Sequence, residues 1–505
     1  MHYLIRLYFG YRYPALCLGV ACLMAFQIRN GLWHGDFWEH AAVTRELATH
    51  FFRPVHPQLL LDAPHHFYSP FALAVAAFSM VAQLSPVSAL SVVAFVNLAL
   101  LLLALAAFSS VCAPANPAAA RFYLLLFHLI FWGPGAWQYS GCFNLASLGE
   151  VLPYPSTFAT AIALFGIWIF VRSQRTGGRY WYIAVWSLAF IIVLVHPVAF
   201  IFLAFGLLAF SLRGHRPTVL IAQVSVILLS TVVVAAFWPY YPFIDLIFRQ
   251  SEIFHGSNRP MYQGILHGAG LALLALPLIA LRLKADWRDP LCLMFLGLLA
   301  VYAYGGLSAQ WSYGRVIPSM MLVAHMVLAR AAADWEMKSR MSSFRLNVLL
   351  LLVFLFALST CFLVYFNAFG LRSMLMKRWF PTQKETYAQY RFLSRFTGQY
   401  DVVLADMETS WPVPAFGGKI VAAWHPLTFV PDHYKRHEDV DAFFAADASN
   451  SERQRILRAY RVNYVLIRKK NPDWQKLVNS LKDFGTTVHE DDAFVLIAAK
   501  DNTSN

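Results

Sequence analysis

Two carboxylates and an imidazole stand close together in GDFWEH, residues 35–40. If a helix begins there, Asp36, Glu39 and His40 fall at i, i+3 and i+4 and share one face. Such a trio has the chemistry to hold a divalent cation or to supply a general base. The same trio equally suits the capped, solvated start of an interfacial helix, because Asp is common at helix N-termini. The residues alone leave both readings open.

Four further segments carry polar groups in otherwise apolar surroundings. DAPHHFYSP, residues 62–70, brings Asp62, His65, His66 and Tyr68 ahead of an apolar stretch. Adjacent histidines at a bilayer surface can donate hydrogen bonds to a lipid phosphate, or simply favour the wet headgroup layer. SLGEVLPYPS, residues 147–156, holds Glu150 as its only charge, with Tyr154 beside it. A later loop holds Asp245, Arg249, His255 and Arg259. Arg315, in WSYGRVIP, sits at the end of an apolar run; its planar fork could clamp a phosphate or snorkel to water.

The elements that must position these groups are membrane helices. Of the 505 residues, 59% are hydrophobic and only 13% charged, about half the charge of a soluble domain. Eleven apolar runs read as spans: 13–28, 88–110, 121–137, 157–171, 180–196, 197–212, 218–237, 263–281, 290–306, 316–333 and 346–368. Arg172, Arg175 and Arg179 share one connection, Arg213 and Arg216 another, Arg282, Lys284 and Arg288 a third, and Lys338, Arg340 and Arg345 a fourth. The positive-inside rule puts these in the cytoplasm. Residues 29–66, the 239–262 loop and the C-terminal domain are then outside. That parity requires the apolar stretch 67–84 to lie along the interface rather than cross. The net charge of +13 is accounted for by such loops and by attraction to anionic lipids, not by nucleic acid: no basic face with interleaved aromatics occurs. The six cysteines fall in or beside apolar runs and show no zinc or disulfide spacing.

From Gly370 onward the composition becomes mixed, so the chain divides into a membrane part, 1–369, with juxtamembrane helices in the first outward loop (29–87), and an extracytoplasmic part, 370–505. In the latter, residues 401–406, 419–424, 463–468 and 493–499 read as buried strands. Residues 384–397, 438–446, 451–460 and 473–484 read as amphipathic helices, which makes a small α/β domain. No catalytic constellation stands out there, and the domain reads as a recognition or lid element. The span interiors are nearly free of Asp, Glu, Lys and Arg. His128, His196, His267 and His325 read as hydrogen-bonded packing residues. Ion-coupled transport ordinarily needs ionisable groups at the midplane; the polar groups crowd instead into the outward loops.

The order of these features resembles the GT-C superfamily of integral-membrane glycosyltransferases that use polyprenyl-phosphate sugars. This group includes protein O-mannosyltransferases, the lipid A aminoarabinose transferase and mycobacterial arabinosyltransferases. The resemblance is carried by GDFWEH after the first span, DAPHHFYSPF, VLPYPSTF and WPYYPFIDLI, and in the tail by AWHPLTFVPD, DVDAFF and ILRAYRVNYVLI. It implies a polytopic α-helical membrane protein with a C-terminal soluble α/β domain, multi-pass in a bacterial inner membrane, with that domain periplasmic. It also implies sugar transfer from a polyprenyl-phosphate donor to a glycan, lipid or protein acceptor such as pilin.

By the resemblance, Asp36 is the first-loop aspartate that serves as base, with Glu39 and His40 beside it, and Glu150 is the second-loop acid. His65, His66, Tyr68, Tyr154, His255, Arg259 and Arg315 are the groups for donor phosphate and substrate. Many relatives carry paired acids at the first site, where this chain has Asp36-Phe37. Use of a divalent cation (Mg, Mn or Ca) by Asp36 and Glu150 is therefore left open. The competing classes are a transporter or flippase of lipid-linked glycans and a non-catalytic envelope scaffold.

Overall fold

Proline sets many of the helix starts. Pro70, Pro117, Pro197, Pro217 and Pro290 each occupy a first-turn position, where the missing N–H costs nothing and φ is already helical. Ser69, Asn116, His196 and Asp289 cap four of these helices through their side chains. The computed structural model describes residues 2–29, 33, 35–133, 140–145, 147–176, 180–248, 258–338, 388–425, 427–471 and 473–500.

In chain order the helices are α1 (His2–Arg29), α2 (Phe37–Thr49), α3 (Pro70–Val81), α4 (Pro86–Cys112), α5 (Pro117–Ile130), α6 (Leu148–Val151), α7 (Pro155–Thr176), α8 (Trp181–Val195), α9 (Pro197–Ser211) and α10 (Pro217–Ala235). Longer apolar helices follow at Pro290–Leu307 and Ile317–Lys338. Among the described residues, six helical stretches are long and apolar enough to cross a membrane: Pro86–Cys112, Pro155–Thr176, Pro217–Ala235, Ile265–Ala285, Pro290–Leu307 and Trp311–Lys338. Tyr11–Phe26, Pro117–Ile130, Trp181–Val195 and Pro197–Ser211 are shorter apolar helices at expected spans. The span expected at 346–368 and the domain boundary at 369/370 lie outside the described residues. At twelve residues, α3 rises about 18 Å, well short of a hydrocarbon core of about 30 Å.

The chain forms two compact units. The first comprises Met1–Asn30, Ser91–Trp238 and Phe254–Thr382. In it α5 packs along Ile317–Lys338, and α7, α8, α9 and α10 pack on one another. One ion pair ties α1 to Ile317–Lys338: Arg12 Nη2 lies 2.7 Å from Glu336 Oε1. The Nδ1 atoms of His128 and His325 meet at 3.0 Å, and His196 accepts the Ala199 N–H; these histidines pack and cap.

The second unit joins Gly31–Leu90 and Pro239–Ile253 to Gln383–Asn505, so the first loop folds with the C-terminal domain. Its mixed sheet has strands β1 (Val402–Leu404), β2 (Lys419–Ile420), β3 (Val462–Arg468), β4 (Gly485–Glu490) and β5 (Phe494–Ala499), in the order β2-β1-β3-β5-β4. β1 runs parallel to β2 and β3; β5 runs antiparallel to β3 and β4. Alternation along β1 divides the core. Val403 joins Leu393, Leu427, Val430 and Phe494 on one side, while Val402 and Leu404 join Val440, Phe443, Ile456 and Leu457 on the other. The first loop completes the β2 edge: the Ile420 N–H donates to Gln58 O at 2.7 Å, and fully buried Leu59 enters the core beside Val403 and Ile420.

Candidate functional site

The site in the second unit is built on the first turn of α2. Phe37, Trp38 and Leu47 bury that helix, with Phe37 stacked on Trp33 at 4.4 Å and the helix packed on α3 and on Val413–Phe416. Gly35 precedes it at φ +62°, a left-handed conformation that favours glycine. This turn is pinned from the C-terminal domain, where the Trp411 indole N–H donates to Gly35 O at 2.6 Å.

Asp36 then occupies the N-cap position, but its side chain makes no capping hydrogen bond. It forgoes a contact ordinarily worth about 1 kcal/mol. Instead Oδ1 accepts from His425 Nε2 at 3.0 Å, with both side chains roughly 40% exposed. Trp411 stands edge-on to the His425 ring, centroids 5.0 Å apart, and so fixes the imidazole. The result is a water-accessible carboxylate oriented by a histidine, the arrangement a general base requires.

Glu39 and His40 lie one turn further in, and both are buried. Burial raises the Glu39 carboxyl above its usual value, helped by Asp36 and opposed by His66, His425 and His40. Burial likewise lowers His40, against the pull of Asp36 and Glu39. His65 is completely enclosed, and desolvation pushes it down to about 3, so its ring is neutral. Its Nδ1 accepts the Phe67 N–H at 3.3 Å, which leaves the proton on Nε2, 3.2 Å from Glu39 Oε1. The ring is not aligned for a full hydrogen bond there, so this is a close polar approach rather than an ion pair. His66, half-buried, shares a hydrogen bond with Thr428 Oγ1 at 3.0 Å. Tyr68 is buried, and its hydroxyl donates to Val55 O, pinning the loop.

The structure thus brings Asp36, Glu39, His40, His65 and His66 together, with His425, Thr428 and Trp411 from the C-terminal domain. Those three partners are absent from the residues expected as a site, although AWHPLTFVPD had already stood out as a segment. The donors around Asp36 do not fit a bound cation. One carboxylate oxygen already accepts from His425, Glu39 favours its proton, and among the described residues no group of three or more His, Cys, Asp or Glu side chains is placed to hold a metal.

The remaining expected residues belong to the first unit. Glu150 lies half-buried on α6, which is a single turn. Tyr154 is buried in the following turn, where Asn97 Nδ2 donates to Leu152 O at 2.7 Å. Arg315 Nε donates to buried Asn258 Oδ1 at 2.9 Å, and Asn258 reaches Ser312 Oγ at 3.3 Å. Arg259 lies 6.0 Å from the Trp311 ring centre, so Arg259 and Arg315 share one pair of packed turns. His255 lies outside the described residues.

No family model and no curated protein matches the chain. Among solved structures, it is similar to the oligosaccharyltransferase of Archaeoglobus fulgidus in its apo form, at 13% identity and a TM-score of 0.52, over 98% of this chain and 75% of that one. It is also similar to ArnT from Cupriavidus metallidurans bound to undecaprenyl phosphate, at 13% identity and a TM-score of 0.53, over 97% and 98% of the two chains. The chain therefore shares its overall fold with these two proteins.

Proposed function

We propose that the chain transfers a sugar from a polyprenyl-phosphate donor to an acceptor hydroxyl, with Asp36 as the general base. The observation that carries this reading is the Asp36–His425 pair, in which a capping aspartate leaves its helix to face a histidine at an open surface. The shared fold supports it, as does the undecaprenyl phosphate held by ArnT.

In this reading the acceptor oxygen attacks the anomeric carbon as Asp36 takes its proton, and His425 steadies the carboxylate and then shares that proton. The bond from the anomeric carbon to the phosphate oxygen breaks, its electron pair leaving with the polyprenyl phosphate, and the configuration inverts. Arg315 and His65 or His66 stabilise the charge growing on that phosphate. Glu150 serves as the second-loop acid, and Tyr154 is among the substrate-binding residues. No step is routed through a metal. The acceptor is a glycan, a lipid or a surface protein such as pilin. In this reading eleven spans cross a bacterial cytoplasmic membrane, the first loop and the C-terminal domain lie on its outer face, and α3 runs along the interface.

The test uses membranes containing the wild-type protein or Asp36→Asn, incubated with a panel of prenyl-phosphate sugars and native acceptors. Release of polyprenyl phosphate with formation of a glycoconjugate by wild type alone is the expected result. Equal turnover by both would remove Asp36 as base, and no turnover of any donor would favour a flippase.

A further inference from the structure

The first unit contains a cavity of about 870 Å³. It lies where the C-terminal ends of α4, α7 and α9 meet the first turns of α10 and of Pro290–Leu307. α7 shows which end of the unit this is: the helix starts at Pro155, just after Glu150 and Tyr154, and carries Arg175 about 30 Å from that start.

The lining has two characters. Phe170, Phe210, Val219, Leu220 and Leu291 form apolar walls, while Arg175, Arg213, Arg216 and Arg330 bring guanidiniums to the same space. Three helix C-termini and two N-termini converge there, so backbone dipoles largely offset one another and the side chains set the potential. Asp289, buried, lies 3.3 Å from both Arg282 and Arg330, and Asp286 pairs with Arg213 at 3.1 Å. Asp334 also acts on Arg330, so five guanidiniums face three carboxylates, an excess of two positive charges. No carboxylate among the described residues pairs with Arg175 or Arg216. The apolar wall continues from Val219 onto Val226, Leu229 and Val233, all exposed along α10, which is one of the helices fit to cross a membrane.

From this combination we infer that the cavity binds the phosphate headgroup of an anionic membrane lipid, its acyl chains lying along the exposed face of α10. A headgroup phosphate complements the charge excess, and guanidiniums bind it through paired N–H donors. The apolar wall suits the glycerol and first methylenes, which a free phosphate or a soluble phosphate ester lacks. This site serves neither donor nor acceptor, and it stands or falls independently of the sugar-transfer reading.

The test is lipid retention by the full-length protein in neutral detergent, read by native mass spectrometry and by melting temperature across titrations of phosphatidylglycerol, phosphatidylcholine and sodium phosphate. Phosphatidylglycerol should bind at least tenfold more tightly than phosphatidylcholine and lose affinity as salt rises. Arg175→Gln with Arg216→Gln should lower that affinity about tenfold or more. Val219→Trp, which narrows the cavity and leaves every charge in place, should lower it as well and decides the matter if the double variant does not fold. Equal retention of the two lipids, undiminished binding by Val219→Trp, or competition by millimolar sodium phosphate as effective as that by lipid would each overturn the inference.

Discussion

The Lys419 ammonium of β2 lies 2.7 Å from Glu46 Oε2 of α2, and both side chains are 2% exposed. The ammonium also donates to His56 O at 2.8 Å and Pro57 O at 3.3 Å. Three donors on one cation thus tie a helix and a loop of the first-loop segment to the C-terminal sheet. Lys419→Met leaves Glu46 buried without a counter-charge, so the second unit should lose about 3–5 kcal/mol. Adding Glu46→Leu should recover most of it. A double-mutant cycle on the melting temperature of the purified protein checks both expectations.

The same pair predicts an acid limit. Burial pushes Glu46 up, but Lys419, with hydrogen bonds from Lys419, His50 and the Val55 N–H, outweighs it and holds the carboxyl below its usual 4.5. A depressed folded value means the stabilisation is complete above about pH 4.5 and is lost as the pH falls through the folded value. The melting temperature should drop more steeply below pH 4.5 in wild type than in the Lys419→Met/Glu46→Leu variant; parallel profiles would contradict the assignment.

Asp36→Asn should reduce transfer by about 10²–10⁴-fold, the range for loss of a general base. His425→Ala should lower kcat by a smaller factor and leave the donor KM unchanged, because His425 acts through the Asp36 carboxylate. Steady-state kinetics with a matched donor separates this outcome from a binding role, which would raise KM at constant kcat.

Glu39 leads to a different expectation. Since burial favours its protonated form, Glu39→Gln keeps the working shape and should leave activity within about threefold, well below the loss for a catalytic base. A raised folded value makes ionisation costly to the fold, so wild-type stability should fall relative to Glu39→Gln as the pH rises above 4.5. Melting curves from pH 4 to 9 should show the gap widening.

Arg315→Ala should raise the donor KM about tenfold or more, the scale of one hydrogen bond to a charged group. Arg315→Lys should recover only part of it, because an ammonium lacks the planar fork. Donor saturation curves measure both; an unchanged KM would remove Arg315 from the phosphate.

Six long apolar helices, the helix beginning at GDFWEH and strands β3 and β5 were legible because each repeats a local pattern over several residues. β4 escaped notice because GTTVHE lies at a sheet edge with most of its side chains exposed, so no apolar alternation marks it. Lys419 stood in a run read as a buried strand, and its partner is 373 positions away. His425 is 389 positions from Asp36. Pairings at that separation leave no periodicity, and a lone histidine in a loop of a small domain has no local feature that distinguishes it. The near half of the site could be read from residue types; its far half exists only in the folded chain.

The edge contact between the first loop and β2 has a consequence for how the protein comes into being. Residues 56–59 emerge early in synthesis, while Lys419, their partner, follows 363 positions later. At ordinary elongation rates that interval is roughly 20–70 s, and most of the membrane helices are made and inserted within it. Throughout, Leu59 has no core to enter and Asp36 no histidine to face. Assembly of the Asp36 site is therefore among the last events in the maturation of the chain, and a nascent protein released before β2 is made would hold its helices in the bilayer without the completed site.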